Sequence, residues 1–161
     1  MKTTVIGGIA LGVLVVLWTF VMGFTGWYKD PALPSLFLWV AIPVQIVVLI
    51  WGLRRTANDG CLYWPQVGNG VLVSVIGAVI IFCGSYLFTT VFFPQYFDEI
   101  RALGTETMKA QGKSEAEIKQ LMDAAAPTQT PIMNALRGVI GTVVTGFVVS
   151  LAAAAFLRRK E

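Results

Sequence analysis

Residues 132–157 read IMNALRGVIGTVVTGFVVSLAAAAFL, an apolar run with a single charged side chain, Arg137. A transmembrane helix needs about 20 consecutive apolar residues, so this run is long enough to cross a bilayer. Three similar apolar runs come before it, at about 5–24, 35–53 and 70–93. The sequence therefore predicts an all-α membrane protein, with residues 1–161 forming one domain of four transmembrane helices.

The composition supports the same interpretation. Hydrophobic residues make up 56% of the 161 residues, charged residues only 13%, and the mean hydropathy is +0.72. Soluble domains carry about 25% charged residues, so this chain has too little charge to keep so apolar a globule in solution. The net charge is +3, but the basic residues lie at the ends of the apolar runs and form no patch or stripe. We therefore expect no nucleic-acid partner.

The basic residues near the predicted spans are unevenly distributed. One side carries Lys2, Arg54, Arg55, Arg158, Arg159 and Lys160. Next to the opposite ends of the spans lie only Lys29 and Arg137. Cytoplasmic ends of transmembrane helices carry the excess of Lys and Arg. The sequence therefore predicts a multi-pass protein in the lipid bilayer whose N-terminus and C-terminus are both cytoplasmic.

Between the third and fourth runs, residues 94–131 change from uniformly apolar to amphipathic. A first helix with Pro94 in its opening turn would place four apolar residues on one face: Phe97, Ile100, Leu103 and Met108. Ser114 and Glu117 have the spacing of a capping box, which predicts a second helix that ends at Pro127. We therefore expect an extracytoplasmic helical hairpin. It binds a membrane or extracytoplasmic protein partner, acts as a lid, or only covers the mouth of the bundle.

Small residues recur at every fourth position along the fourth run, at Gly138, Thr142, Gly146 and Ser150. Transmembrane helices associate through such residues because the backbones can then approach closely. We therefore predict that these four residues form a helix-packing face. Two interpretations stay open: the face packs against another helix of the same chain, or it is the contact surface of a homodimer.

Two polar residues within the runs are candidates for a special role. Gln45 lies two residues after Pro43 and is expected to donate a hydrogen bond across the bundle. Arg137 has two interpretations. As an anchor, it snorkels to the headgroups or pairs with Asp98 or Glu99 of the hairpin. As a functional residue, it lies on the path of an ion or a substrate.

The sequence contains no recognisable catalytic or metal-binding constellation. It has no histidine, and no Asp or Glu lies within a predicted span. Its two cysteines, Cys61 and Cys83, are far apart, one in a loop and one in a span. Cys61 is either a modified or metal-linked residue or an unreactive interfacial cysteine. We therefore predict that the protein is not an enzyme and has no catalytic residue, cofactor or metal site.

Four stretches carry a family resemblance: the arginine-ended segment 45–55, GCLYWPQVGNG at 60–70, SYLFTTVFFP at 85–94 and AQGKSEAEI at 110–118. With the small residues and basic tail of the fourth span, they resemble a bacterial membrane family known as domain of unknown function 4199, found largely in Bacteroidetes. The resemblance implies four helices, a location in the inner membrane and an extracytoplasmic hairpin. It implies no activity.

Two functions fit these features. The first is a non-catalytic accessory or scaffold component of the inner membrane, whose hairpin meets a partner outside. The alternative is a small transporter or channel subunit that acts as an oligomer, since four helices can form one half of a pore. No inverted repeat relates the two halves of the sequence, which favours the first function.

Overall fold

The computed structural model describes residues 2–30, 34–58 and 62–157, and nearly all of them are helical. Six α-helices follow one another along this part of the chain: α1 Lys2–Thr25, α2 Pro34–Asn58, α3 Tyr63–Leu87, α4 Tyr96–Ala110, α5 Glu115–Ala125 and α6 Pro131–Leu157. Short helical turns flank them at Trp27–Lys29, Phe88–Phe92 and Ala126–Thr128. The second of these turns continues α3 as a π-helix.

Four of these helices, α1, α2, α3 and α6, are long and apolar enough to cross a membrane, which confirms the predicted number of spans. Their outward-facing side chains are large and apolar: Trp39 is 74% exposed and Phe156 is 89% exposed. An apolar surface of this kind suits contact with lipid and not with water. The four helices therefore indicate a multi-pass membrane protein.

Helix α3 lies at the centre of the bundle, where it packs extensively against α1 and α6, and α2 packs against the same two helices. Helices α1 and α3 approach each other very closely at Gly8. A Cβ added at this glycine would lie only 2.5 Å from the Cβ of Ile76. A cluster of buried side chains forms the core: Leu11, Val15, Val48, Leu49, Val73 and Ile81. The fold is thus held by close backbone contact together with a compact apolar core.

The two ends of the bundle differ in charge. An added Cβ at Gly7, near the start of α1, would lie 4.0 Å from the Trp51 ring of α2, so Lys2 lies at the same end of the bundle as Arg54 and Arg55. We call this the basic end. The opposite end, where α4 and α5 lie, is called the hairpin end.

The third span begins earlier than predicted. The sequence placed its start at about residue 70, whereas α3 begins at Tyr63. Pro65 lies in the first helical turn, where a backbone N–H has no intrahelical partner to lose. The buried Gln66 side chain donates through Nε2 to the carbonyl of Leu53, at 3.0 Å. This contact with α2 keeps the segment helical despite the glycines that follow.

The amphipathic pattern between the third and fourth spans forms two helices, α4 and α5, that pack against each other. The capping box is confirmed: the Ser114 hydroxyl accepts from the Glu117 amide at 3.3 Å, and the Glu117 carboxylate accepts from the Ser114 amide at 3.0 Å. The position predicted for Pro94 is wrong by two residues. It lies in a turn before α4, which the Tyr96 amide closes by donating to the Phe93 carbonyl at 3.0 Å.

Candidate functional site

A cavity of about 820 Å³ lies at the hairpin end, between the four spanning helices and beneath α4. Along α6 its lining extends from Asn134 to Thr145, about 17 Å at the helical rise of about 1.5 Å per residue. This depth is roughly half of the ~30 Å hydrocarbon core of a bilayer. Ligand-binding cavities have volumes of about 300–1,000 Å³ and mostly apolar walls, so this cavity, the α4 cavity, is the candidate functional site.

Helix α4 forms the roof of the α4 cavity. Its lining residues are Tyr96, Ile100, Leu103, Gly104, Thr107 and Met108. Three residues of the predicted face, Ile100, Leu103 and Met108, belong to this set. The fourth, Phe97, does not, because it lies one position further around the helix, where its ring packs edge-on against Tyr96 at 5.2 Å. Of these two neighbouring aromatic residues, Tyr96 therefore faces the cavity and Phe97 does not.

Glu99 ties α4 to the end of the first span. Its carboxylate accepts a hydrogen bond from the Tyr28 hydroxyl and another from the Lys29 ammonium, which lies 2.9 Å away. These two bonds lower the pKa of Glu99 below its usual value, and the bond from Tyr28 has the larger effect. Burial, followed by the hydrogen bond to Glu99, raises the pKa of Tyr28. The Tyr96 ring lies 5.2 Å from the Tyr28 ring and adds an aromatic contact to this tether.

A second contact fixes α4 to the segment that leads into α6. The Arg101 guanidinium donates through Nε to the side-chain oxygen of Gln129 at 2.8 Å. The same guanidinium lies 3.8 Å from the Asp98 carboxylate, one turn earlier on α4. The roof of the α4 cavity is therefore tethered on two sides, to the α1 end by Glu99 and to the α6 side by Arg101.

Arg137 lies near the mouth of the α4 cavity and forms part of its lining. The predicted ion pair with Asp98 or Glu99 is not formed in the described part of the chain. Glu99 instead bonds to Tyr28 and Lys29, and the Asp98 carboxylate lies 3.8 Å from the Arg101 guanidinium. The guanidinium is therefore free to meet an occupant of the cavity.

The floor of the α4 cavity is built around Gln45. This side chain is only 6% exposed and donates through Nε2 to the backbone carbonyl of Thr142, at 2.6 Å, so the expected hydrogen bond across the bundle is present. Val15 and Ile81 line the cavity nearer the hairpin end and also belong to the apolar core. Towards the basic end the bundle is filled, because Leu49 is completely buried and Leu53 is only 1% exposed.

The small residues of α6 lie against helices of the same chain. An added Cβ at Gly146 would overlap the Ser74 hydroxyl of α3, and one at Gly70 of α3 would overlap the Ser150 hydroxyl. At Gly138, nearer the hairpin end, an added Cβ would lie 3.2 Å from a methyl group of Ile81. The face is therefore tight towards the basic end, where α3 and α6 touch, and looser beside the cavity.

Within residues 2–30, 34–58 and 62–157, no group of three or more His, Cys, Asp or Glu residues is placed to hold a metal ion. Cys83 is an exposed free thiol. The proposed roles of Cys61 fall on a residue outside those described.

Sequence reasoning missed the cavity and its roof contacts. Tyr28 was recognisable only as an interfacial aromatic residue, and nothing in the sequence linked it to Glu99, 71 positions away. Charge complementarity was the one available signal, since Lys29 follows the first span and Glu99 follows the third. The polar lining residues Thr19 and Ser85 carry no sequence signal of their own.

The chain belongs to the family described as Protein of unknown function (DUF4199), whose profile matches residues 7–159. This match confirms the resemblance carried by the sequence. No curated protein matches the chain, and no solved structure does. The family description assigns no activity, so any function must be argued from the geometry of the bundle.

Proposed function

We propose that this protein is a non-catalytic accessory component of a bacterial inner membrane, which holds a ligand in the α4 cavity and presents its hairpin to a protein partner outside. The observation that carries this proposal is the shape of the cavity. It lies under α4 in one half of the bundle, and the other half is packed with buried side chains. A cavity of this kind suits binding and not passage.

The packing towards the basic end argues against a transport path through one chain. Leu49 is 0% exposed and Leu53 1% exposed there, and Gly146 allows α6 to approach Ser74 of α3 so closely that an added Cβ would overlap its hydroxyl. Packing this close leaves no room for a hydrated ion between α3 and α6. A pore would therefore have to form between chains, which is the alternative function, a transporter or channel subunit that acts as an oligomer.

The residues around the α4 cavity favour binding over catalysis. Catalysis would need a nucleophile next to a base, or two carboxylates, within the site. The lining offers hydroxyl and amide groups, such as Thr19, Ser85 and Asn134, with one guanidinium. The lining residues that the structure describes include no His, Cys, Asp or Glu. These groups can orient a ligand by hydrogen bonds, and we therefore propose that the protein is not an enzyme.

The charge of the two ends supports an extracytoplasmic hairpin. Lys2, Arg54 and Arg55 lie at the basic end, and the positive-inside rule assigns such an end to the cytoplasm. The hairpin end, with the mouth of the α4 cavity, then faces the cell exterior or the periplasm. Helix α5 packs on α4 and the turn Ala126–Thr128, and its residue Leu121 is exposed and available to a partner.

Purification from native membranes in a mild detergent, followed by native mass spectrometry, tests this proposal. We expect a stoichiometric protein partner. Leu121 is 45% exposed on α5, and Leu121→Lys should release the partner. Leu62→Lys is the matched control, because Leu62 is 70% exposed at the basic end and its replacement should leave the partner bound.

A different result would contradict the proposal. If the protein purifies as a homodimer without any partner, and this homodimer conducts ions in liposomes, the channel alternative is correct. If a partner is captured equally well by the wild-type protein and by Leu121→Lys, the partner does not meet α5, and the proposed role of the hairpin is wrong.

A further inference from the structure

The α4 cavity combines an apolar wall with a single charge. Most of its walls are formed by aliphatic and aromatic side chains, including Val15, Phe37, Leu38, Ile42, Ile81 and Leu103. Among the described lining residues, Arg137 is the only one with a formal charge at neutral pH, and none carries a carboxylate. Charge complementarity therefore selects an occupant with a negative group and a large apolar part.

The charge and the apolar wall are arranged along the axis of the bundle. Arg137 and Asn134 lie one turn apart on α6, near the mouth and under α4. From Arg137 the lining continues along α6 to Thr145, a distance of about 12 Å at the helical rise. An occupant that matches this arrangement has its polar group at the mouth and an apolar chain directed towards the floor.

The Arg137 guanidinium is available to such an occupant. No hydrogen bond or ion pair joins it to another side chain in the described part of the protein, and the Asp98 and Glu99 carboxylates of α4 contact Arg101, Tyr28 and Lys29 instead. A guanidinium binds carboxylate or phosphate oxygens through paired N–H donors, and this interaction strengthens when the surroundings are apolar. The structure thus provides a cation beside an apolar cavity without a protein anion to neutralise it.

We propose that the α4 cavity binds a single-chain anionic amphiphile taken from the membrane, such as a fatty acid or an alkyl phosphate. Its oxyanion head accepts hydrogen bonds from Arg137 and from the side-chain amide of Asn134. Its hydrocarbon chain lies along α6 between Arg137 and Thr145 and contacts Ile42 of α2. The tethers of α4 hold Ile100 and Leu103 over the chain and exclude water from it.

This inference rests on the proposed function, since it names the ligand of the same cavity. The two are tested by separate measurements. Partner capture involves the exposed surface of α5, whereas ligand binding involves the lining beneath α4. Failure of either measurement therefore leaves the other result interpretable.

Binding of three radiolabelled probes tests the proposal: dodecanoate, dodecyl phosphate and dodecanol. The full-length protein is reconstituted in nanodiscs of zwitterionic phosphatidylcholine, so that no anionic lipid competes. The probes share one chain and differ in the head, which separates the contribution of charge from that of apolar burial. At least one of the two anions should bind about tenfold or more tightly than dodecanol, as expected for hydrogen bonds to a charged group.

Two variants separate the head site from the chain site. Arg137→Gln should reduce anion binding to the level of dodecanol. Gly141→Phe should weaken the binding of all three probes, because Gly141 lines the cavity and the new ring would occupy part of it. An added Cβ at Gly141 meets no atom within 4 Å, so the substitution should leave the fold intact. Gly68→Phe is the matched control, since Gly68 has equal space on α3 at the basic end.

A further control and the opposing outcomes complete the test. Arg55→Gln removes an exposed guanidinium at the basic end, where it lies 5.0 Å from the Trp51 ring, and should leave all binding unchanged. The proposal is overturned if dodecanol binds as tightly as both anions, if Arg137→Gln still prefers the anions, or if no probe binds the wild-type protein. Binding of one anion but not the other supports the proposal and identifies the head.

Discussion

At the residue scale, the position of the roof over the α4 cavity depends on Glu99. This carboxylate connects α4 to the end of the first span, where it accepts hydrogen bonds from Tyr28 and Lys29. Both bonds favour the ionised form, which is why the pKa of Glu99 is lowered from its usual 4.5. The ionised carboxylate therefore stabilises the folded state. This contribution is complete above about pH 4.5 and is lost as the pH falls through the lower value of the folded protein.

The first prediction concerns this pH dependence. At pH 7, Glu99→Gln should lower the melting temperature by about 2 °C, as expected for a partly exposed ion pair in a protein of this size. The difference from wild type should shrink as the pH falls from about 4.5 through the lowered pKa of the folded protein, below which Glu99 is protonated in both states. Thermal melting of both proteins in detergent at several pH values measures this difference in melting temperature. Glu106→Gln, at an exposed carboxylate of the same helix, is the control and should have no effect. A pH-independent difference would show that Glu99 acts only through its shape.

At the element scale, α6 has two different halves. Towards the hairpin end its small residues Gly138 and Gly141 leave room for the α4 cavity, whereas Gly146 and Ser150 allow contact with α3 towards the basic end. Of the small residues at every fourth position, Gly138 therefore borders the cavity, whereas Gly146 and Ser150 pack against α3 and close the bundle. The packing at each small residue of α6 depends on whether another helix lies directly opposite it.

The second prediction concerns the closed half of α6. Gly146→Leu should destabilise the protein by about 1–3 kcal/mol or more, because overpacking forces α3 and α6 apart. Val144→Leu is the control: Val144 is 57% exposed on the outer surface, so its replacement should leave the melting temperature unchanged. Thermal melting in detergent, followed by size-exclusion chromatography, measures both variants. If Gly146→Leu only dissociated a dimer and the monomer kept its melting temperature, the face would be a homodimer contact.

Elements that depend on residues close together in the sequence were predictable, and elements that depend on contacts between distant helices were not. Spans and the capping box of α5 depend on residues close in sequence, so the apolar runs and the Ser114–Glu117 pair were sufficient to predict them. The start of α3 was not predictable, because its helical form depends on the contact of Gln66 with Leu53 of α2. The α4 cavity was not predictable either, since it arises where four helices and a roof leave space between them.

At the scale of the whole molecule, the bundle is polarised along its axis. The basic end is densely packed and carries Lys2, Arg54 and Arg55, whereas the hairpin end contains the α4 cavity and its tethered roof. The α4 cavity therefore opens on the side where the hairpin lies. The proposed binding of a partner outside the cell requires this side to face outward.

Cysteine labelling in intact cells tests this orientation most directly. In a variant without Cys61 and Cys83, single cysteines are placed at Gly112, in the exposed turn between α4 and α5, and at Leu62, at the exposed start of α3. An impermeant thiol reagent added outside should label Gly112→Cys, and it should label Leu62→Cys only after the membrane is permeabilised. Labelling in the reverse order would place the α4 cavity on the cytoplasmic side and contradict the account.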